Sequence, residues 1–445
     1  MVDRTSREID RRHVFYPWAA QARIEPVVVT GGAGARFTDD TGASYLDFAS
    51  QLVHANLGLQ HPRLVAAIHR QADRLCTVSP NHATDVKAEA ARLIARHAPG
   101  ELDTVFFTTG GAEAVENAIR LARLHSGRHK ILAAYRSYHG ATAGAVTATG
   151  EPRRWASEPG IPGVVHFFGP YLYRSAFHAS TEAQERDRAL EHLEQVICFE
   201  GPDQVAAILL EPVVGTNGVL VPPAGYLAGV RELCDRYGIL LVADEVMVGF
   251  GRVGEWFAVD AWNVLPDLLT FAKGVNSGYV PLGGVVLSPA IAASFADHAY
   301  PGGLTYSGHP LACAVAAESV RVFEDDDIPA RARRLGETVV APALAKIAAA
   351  HPSVGEVRGR GLFWAIELVA DRDSRRMLVP YNASGPAAEP MARVLAACKR
   401  RGVWPFTHFN RLQLAPPLII DEADLAEGLA AVDEALTVAD EYVTG

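Results

Sequence analysis

FAKGVNSGYVPLGG, residues 271–284, sets a single lysine, Lys273, among apolar and glycine neighbours, 29 residues after Asp244 at the end of the hydrophobic run ILLVAD. That run and LLTFAK, which ends on the lysine, are short and almost wholly apolar, as strands buried on both faces are. TVFFTT, KILAAY, AAILLEPV and GGVVLS have the same character. They alternate with helical stretches such as HPRLVAAIHRQADRL, ATDVKAEAARLIARHA, GAEAVENAIRLARLHSG and AGYLAGVRELCDRYG. Short buried strands alternating with helices predict an α/β fold, with a mainly parallel central sheet sandwiched by helices over residues 58–325. In such sheets ligands collect at the carboxyl ends of strands. Thr108 to Gly111, Glu211, Asp244 and Lys273 all fall at or just after a strand end.

The flanking regions differ. Residues 1–57 read as a polar arm followed by short strands, with Asp40-Thr41-Gly42 as a hairpin turn, and are expected to join the smaller domain. The GGAGA piece there lacks dinucleotide-binding spacing, and no helix follows it. Residues 326–445 read as a smaller α+β domain, opened by one long helix, PARARRLGETVVAPALAKIAAAH.

At 445 residues the chain exceeds what one core usually supports. A formal charge of −10 argues against nucleic acid and anionic membranes as partners. The five cysteines are scattered singly, without CxxC pairs, as reduced packing residues are. The first residues are too charged for a signal peptide, and no uncharged run reaches spanning length. The expectation is a cytoplasmic protein.

Lys273 has apolar neighbours in Phe271, Ala272 and Val275 and no acid nearby in sequence. Such a setting lowers a lysine pKa and favours the neutral nucleophile. Asp244 suits the anion that keeps a heterocycle's nitrogen protonated, and pyridoxal phosphate sites pair a Schiff-base lysine with such a group. TTGGAEAVENAIRLAR is a strand, a glycine turn and a helix start, a natural seat for a phosphate. Tyr138, in SYHGAT, could stack on a planar ring. His125 and His129 sit four apart on a predicted helix, the spacing of a metal pair, but have no third ligand, so no metal site is expected. His309 reads as a turn or helix-start residue rather than a ligand.

Together TTGGAEAVENAIRLAR, SYHGAT, LLEPVVG, ADEVMVGFGRVG, FAKGVNSGYVPLGG and TYSGHPLACA resemble the class III pyridoxal-phosphate aminotransferases, the ω-aminotransferase group. YLDF and VGEVRGRGLFWAIEL extend the likeness to nearly the whole chain. The resemblance implies a fold type I enzyme. It assigns Lys273 to the Schiff base, Asp244 to the pyridine nitrogen, and the backbone N–H groups of Gly111 and Ala112 to the phosphate. It places Tyr138 and Val246 on the two ring faces and Glu211 along the site. Thr305 would reach the phosphate of the neighbouring subunit, which implies a homodimer. The substrates implied are an amino donor and a 2-oxo acid, exchanged by a ping-pong route.

The departures bear on substrate. Ornithine- and 4-aminobutyrate-type relatives carry a glutamate where this chain has Thr216 and an arginine where it has Gln413; Met247 replaces a common glutamine. Arg411 lies two residues before Gln413 and, on a strand, shares its face, so it is the candidate grip for an acid group. Trp18 and Val53 are candidate pocket residues. The expected donor is an ω-amino acid or amine such as taurine or β-alanine, and the expected acceptor pyruvate or 2-oxoglutarate. The alternatives are an aminomutase or racemase of the same family, or a non-catalytic cofactor-binding scaffold.

Overall fold

A computed structural model describes residues 4–444. Its fifteen strands are β1 (Val29–Ala33), β2 (Arg36–Asp39), β3 (Ser44–Phe48), β4 (Thr104–Thr108), β5 (Lys130–Ala134), β6 (Val164–Phe167), β7 (Val205–Leu210), β8 (Leu240–Asp244), β9 (Leu268–Phe271), β10 (Gly283–Leu287), β11 (Val354–Arg360), β12 (Phe363–Asp371), β13 (Arg376–Met377), β14 (Val403–His408) and β15 (Arg411–Leu414). Seven form one sheet in the order β4-β10-β9-β8-β7-β5-β6. The pairs β6–β5, β5–β7, β7–β8 and β8–β9 are parallel, whereas β10 runs antiparallel to both neighbours. The mainly parallel sheet is therefore present, with GGVVLS as its reversed strand. Every residue of β7, β9 and β10 is buried, which the unbroken apolar runs require.

The second sheet joins the two ends of the chain, in the order β1-β2-β3-β14-β15-β12-β11, with β13 beside β12. β3 pairs in parallel with β14. The β2–β3 hairpin turns at Asp40 to Gly42, where Gly42 has φ +85° and the Asp39 carboxylate accepts the N–H groups of Thr41 and Ala43.

Two helical expectations need correction. The long helix after residue 326 is interrupted: Ile328–Leu335 and Ala341–Ala350 flank a π-helical turn, Gly336–Val340. Pro342 has no N–H to give the regular ladder, and Gly336 sits where a Cβ would lie 2.2 Å from the Gly361 carbonyl oxygen. The helix carrying His125 ends at Ser126, with Gly127 left-handed at φ +68°. His129 thus lies off the helix, and the two histidines share no face.

Candidate active site

Because β5, β7, β8 and β9 run parallel, their carboxyl ends share one edge, and the residues just past them meet there. A cavity of about 240 Å³ opens at that edge, lined by Gly111, Ala112, Tyr138, Glu211, Asp244, Val246 and Lys273 together with His139, Thr216 and Met247. Seven residues singled out by sequence therefore surround one space.

Lys273 follows β9 in a left-handed conformation, φ +44°, which a side chain adopts only where the surroundings impose it. The next residue must be small: a Cβ on Gly274 would lie 2.4 Å from Asn56 Nδ2. Burial lowers the pKa of the Lys273 amine, and the charges of Asp244 and Glu211 partly oppose that shift. Asp244 is 4 % exposed at the end of β8. His139 Nδ1–H donates to its Oδ2 at 2.6 Å, and the Thr270 hydroxyl and Val246 N–H donate to Oδ1 at 3.0 and 3.1 Å. Glu211 accepts the N–H groups of Tyr138 at 2.9 Å and Gly215 at 2.8 Å, which ties the loops after β5 and β7 together. Burial raises its carboxyl to about 6, and the Asp244 charge adds to the rise while His139 and the two N–H groups oppose it.

The helix Gly111–Ser126 begins at the cavity wall with Gly110 as N-cap and no side-chain cap, so its first N–H groups face the cavity edge. Gly111 has to be glycine, since a Cβ there would meet Val246 Cγ1 at 2.6 Å.

Four other sequence candidates are not among the residues that line this cavity. Arg411 is 3 % exposed, with its Nε 3.3 Å from Glu367. Glu367 also takes Arg358 at 2.8 Å, Arg174 and the Tyr171 hydroxyl. Burial would raise the Glu367 carboxyl, but Arg358, Arg411 and Arg174 outweigh it and hold it well below the ordinary value. Arg411 and Gln413 do share a face, but that face packs on the loop after β7. Gln413 Nε2 donates to the Thr216 carbonyl at 2.6 Å, and a Cβ on Gly218 would strike Arg411 Cδ at 2.4 Å. Val53, with φ +55°, is buried among Val213, Val219, Val248 and Phe363. Trp18 is 64 % exposed and Thr305 is exposed. His309 caps the helix Pro310–Asp325, as a helix-start residue does.

Sequence reasoning passed over His139, Thr270 and Arg153. His139 stands 105 positions from the carboxylate it holds, so no spacing could pair them. Arg153 lies with its guanidinium 3.6 Å from the centroid of the Tyr138 ring.

The sequence model of one family, described as aminotransferase class-III, matches residues 18–436. The chain belongs to that family. This class-III aminotransferase is 32 % identical to the taurine–pyruvate aminotransferase of Bilophila wadsworthia, over 97 % of each chain. It superposes with a TM-score of 0.95, at 40 % identity, on a taurine:2-oxoglutarate aminotransferase of Bifidobacterium kashiwanohense solved with PLP and glutamate, covering 99 % of this chain and 98 % of that one. For an (S)-enantioselective ω-transaminase of Thermomicrobium roseum the TM-score is 0.92 and the identity 36 %, over 98 % of each. The fold is that of the type I pyridoxal-phosphate enzymes, and the class-III aminotransferase uses that cofactor. The donor set fits it: free N–H groups at a helix start for a phosphate, a buried carboxylate for a ring nitrogen, and a buried amine of lowered pKa for an aldehyde. Among the described residues no helix is long and apolar enough to cross a membrane.

Proposed function

We propose that this enzyme moves the amino group of an ω-amino acid or amine, of the taurine or β-alanine type, to pyruvate or 2-oxoglutarate. The convergence of Lys273 and Asp244 on one cavity carries the reaction. Likeness over nearly the full chain to two enzymes named for taurine supports the donor.

When bound, pyridoxal phosphate supplies an aldehyde that condenses with amines and a ring that accepts the electrons left by a broken C–H bond. The residues do the rest. Lys273, whose pKa burial lowers, takes the proton from the substrate carbon and would deliver it, across the intervening nitrogen, to the carbon that carried the aldehyde, as a positioned general base and acid. Asp244, held at both oxygens, stays where a ring N–H can donate to it. Gly111 and Ala112 give N–H groups to the phosphate, Tyr138 and Val246 confine the ring between them, and Glu211 fixes the loop that carries Tyr138. We infer that two copies assemble, with Thr305 of each reaching the other's phosphate. Thr305 sits in an exposed loop beside Tyr306, itself 63 % exposed, and the loop is anchored by Ser307 Oγ donating to the Phe107 carbonyl at 2.8 Å. Sedimentation equilibrium is expected to give twice the chain mass; full activity from a monomer removes the inference.

The test of donor class is single-turnover spectroscopy of the holoenzyme with taurine, β-alanine, ornithine and 4-aminobutyrate. Full conversion of the cofactor absorbance to the amine form is expected fastest with the first two. If one amino acid is instead racemised or isomerised with no oxo acid present and no amine form accumulates, the mutase or racemase reading replaces this one.

A further inference from the structure

The cavity needs a group that recognises the far end of an ω-amino acid. Arg411 also has a buried Nη1 without a partner, but its Nε is paired with Glu367 and its stem packs against Gly218, which does not line the cavity. Arg153 is placed differently. Its guanidinium carbon lies over the ring of Tyr138, a residue of the cavity wall, 3.6 Å from the ring centroid, and its charge acts on Lys273. Its Nε pairs with Glu151, whose side chain is fully buried. Its Nη2 is buried and has no hydrogen-bond partner among the described residues. An unpaired guanidinium N–H out of water is costly, so such a group marks a missing acceptor. The planar fork matches a carboxylate or sulfonate, and stacking on an aromatic face fixes its plane.

Glu151 belongs to the same unit. It also accepts from His408 Nε2 at 3.2 Å. Burial would raise its carboxyl, but the His408 bond and the Arg153 charge outweigh this and keep it below its ordinary value. The unit therefore sets one acid against Nε of Arg153 and leaves Nη2, buried, without a partner.

Resting on the ω-amino-acid reading above, we propose that Arg153 binds the substrate's carboxylate or sulfonate through Nη2, while Glu151 positions the guanidinium through Nε. The same arginine serves both halves of the reaction, taking the donor's acid group first and an acid group of the 2-oxo acid afterwards. The substrate class is thereby set: an amine with an anion at its other end is preferred over the same amine without one.

The test uses holoenzyme with Arg153→Met, Arg153→Lys and Glu151→Gln. Cofactor absorbance is followed in single turnover with taurine, β-alanine and n-propylamine, and binding of propane-1-sulfonate, an acid without an amine, is titrated separately. Arg153→Met is expected to raise the half-saturating concentrations of taurine and β-alanine about 100-fold, with limiting rates changed less than about fivefold, since only binding is lost. Propylamine is expected to be unchanged within about twofold, and propane-1-sulfonate to weaken in step with taurine. Arg153→Lys falls between, since a point charge replaces a fork. Glu151→Gln keeps an acceptor for Nε but removes the competing charge, so it tightens the acidic ligands several-fold and leaves propylamine alone. Equal losses for acidic and uncharged donors, or unaltered sulfonate binding in Arg153→Met, overturn the assignment. If wild-type holoenzyme converts none of the donors, the proposed function fails instead, and sulfonate binding still decides the role of Arg153.

Discussion

Lys273→Ala is expected to lower turnover about 10,000-fold, the upper range for removal of a positioned acid–base group, while the protein still folds and holds its cofactor. The position already demands a left-handed residue, and alanine bears that strain no worse than lysine does. The groups assigned to ring and phosphate, Asp244, Tyr138, Gly111 and Ala112, are untouched, so the cofactor stays by contacts alone. Borohydride treatment followed by peptide mass analysis separates the two states: wild type carries the cofactor on the peptide of Lys273, whereas the variant carries it nowhere and releases it on denaturation. Added methylamine is expected to restore part of the rate. Turnover within about 100-fold of wild type without added amine would sink the assignment. A second readout concerns the cofactor-free chain. Burial depresses the Lys273 pKa below its ordinary 10.5, so the unfolded state binds the extra proton more readily than the folded one. That difference weakens the apo protein at neutral pH, fades as pH rises from the lowered folded value towards 10.5, and is gone above it. The apo variant is therefore expected to melt above apo wild type at pH 7, with the gap closing in alkali.

The strand-end residues were legible because the chemistry of a parallel sheet leaves little choice. Runs such as AAILLEPV and ILLVAD can be buried on both faces only as interior strands, and a charged residue closing such a run must face the carboxyl edge. Asp244, Glu211 and Lys273 were found in that way, and the glycine turn at Gly111 by its helix start. What the sequence hid is contact between distant segments. Arg411 and Gln413 do share a face of β15, yet alternation reports only which side a residue takes and never what lies opposite. Opposite is the loop of Thr216 and Gly218, with Glu367 holding the arginine. His139 adjoins Tyr138 in SYHGAT, but its partner Asp244 is brought to it only by the pairing of β5 with β7 and of β7 with β8. Arg153 lies in a surface-like stretch, EPRRW, whose composition gives no sign that one of its two arginines turns inward onto a ring. The break at Gly336–Val340 was hidden for a related reason: Gly336 is dictated by the close passage of Gly361, which no helical periodicity records.

Asp244→Asn is expected to lower kcat about 100-fold, from loss of one charge-assisted bond of roughly 1.5–3 kcal/mol at about 1.4 kcal/mol per tenfold. Asparagine keeps the shape and can still accept from Thr270 and Val246, so the loop after β8 should remain in place. It cannot balance a cationic ring, and its amide nitrogen sets a donor against His139 Nδ1, which now donates to Oδ2. The histidine is then forced to its other tautomer. His139→Phe isolates that part of the effect: the carboxylate keeps its charge and two of its three partners, and a fall nearer 10-fold is expected, with KM little changed. A cofactor analogue methylated at the ring nitrogen, and hence permanently cationic, discriminates charge from shape. With it the carboxylate is no longer needed to hold a proton on the ring, so Asp244→Asn should recover most of its loss, whereas Lys273→Ala should recover none. If Asp244→Asn proves within about twofold of wild type with the natural cofactor, the carboxylate does not face the ring and the chemistry must be rebuilt on Glu211, the other buried acid on the cavity wall.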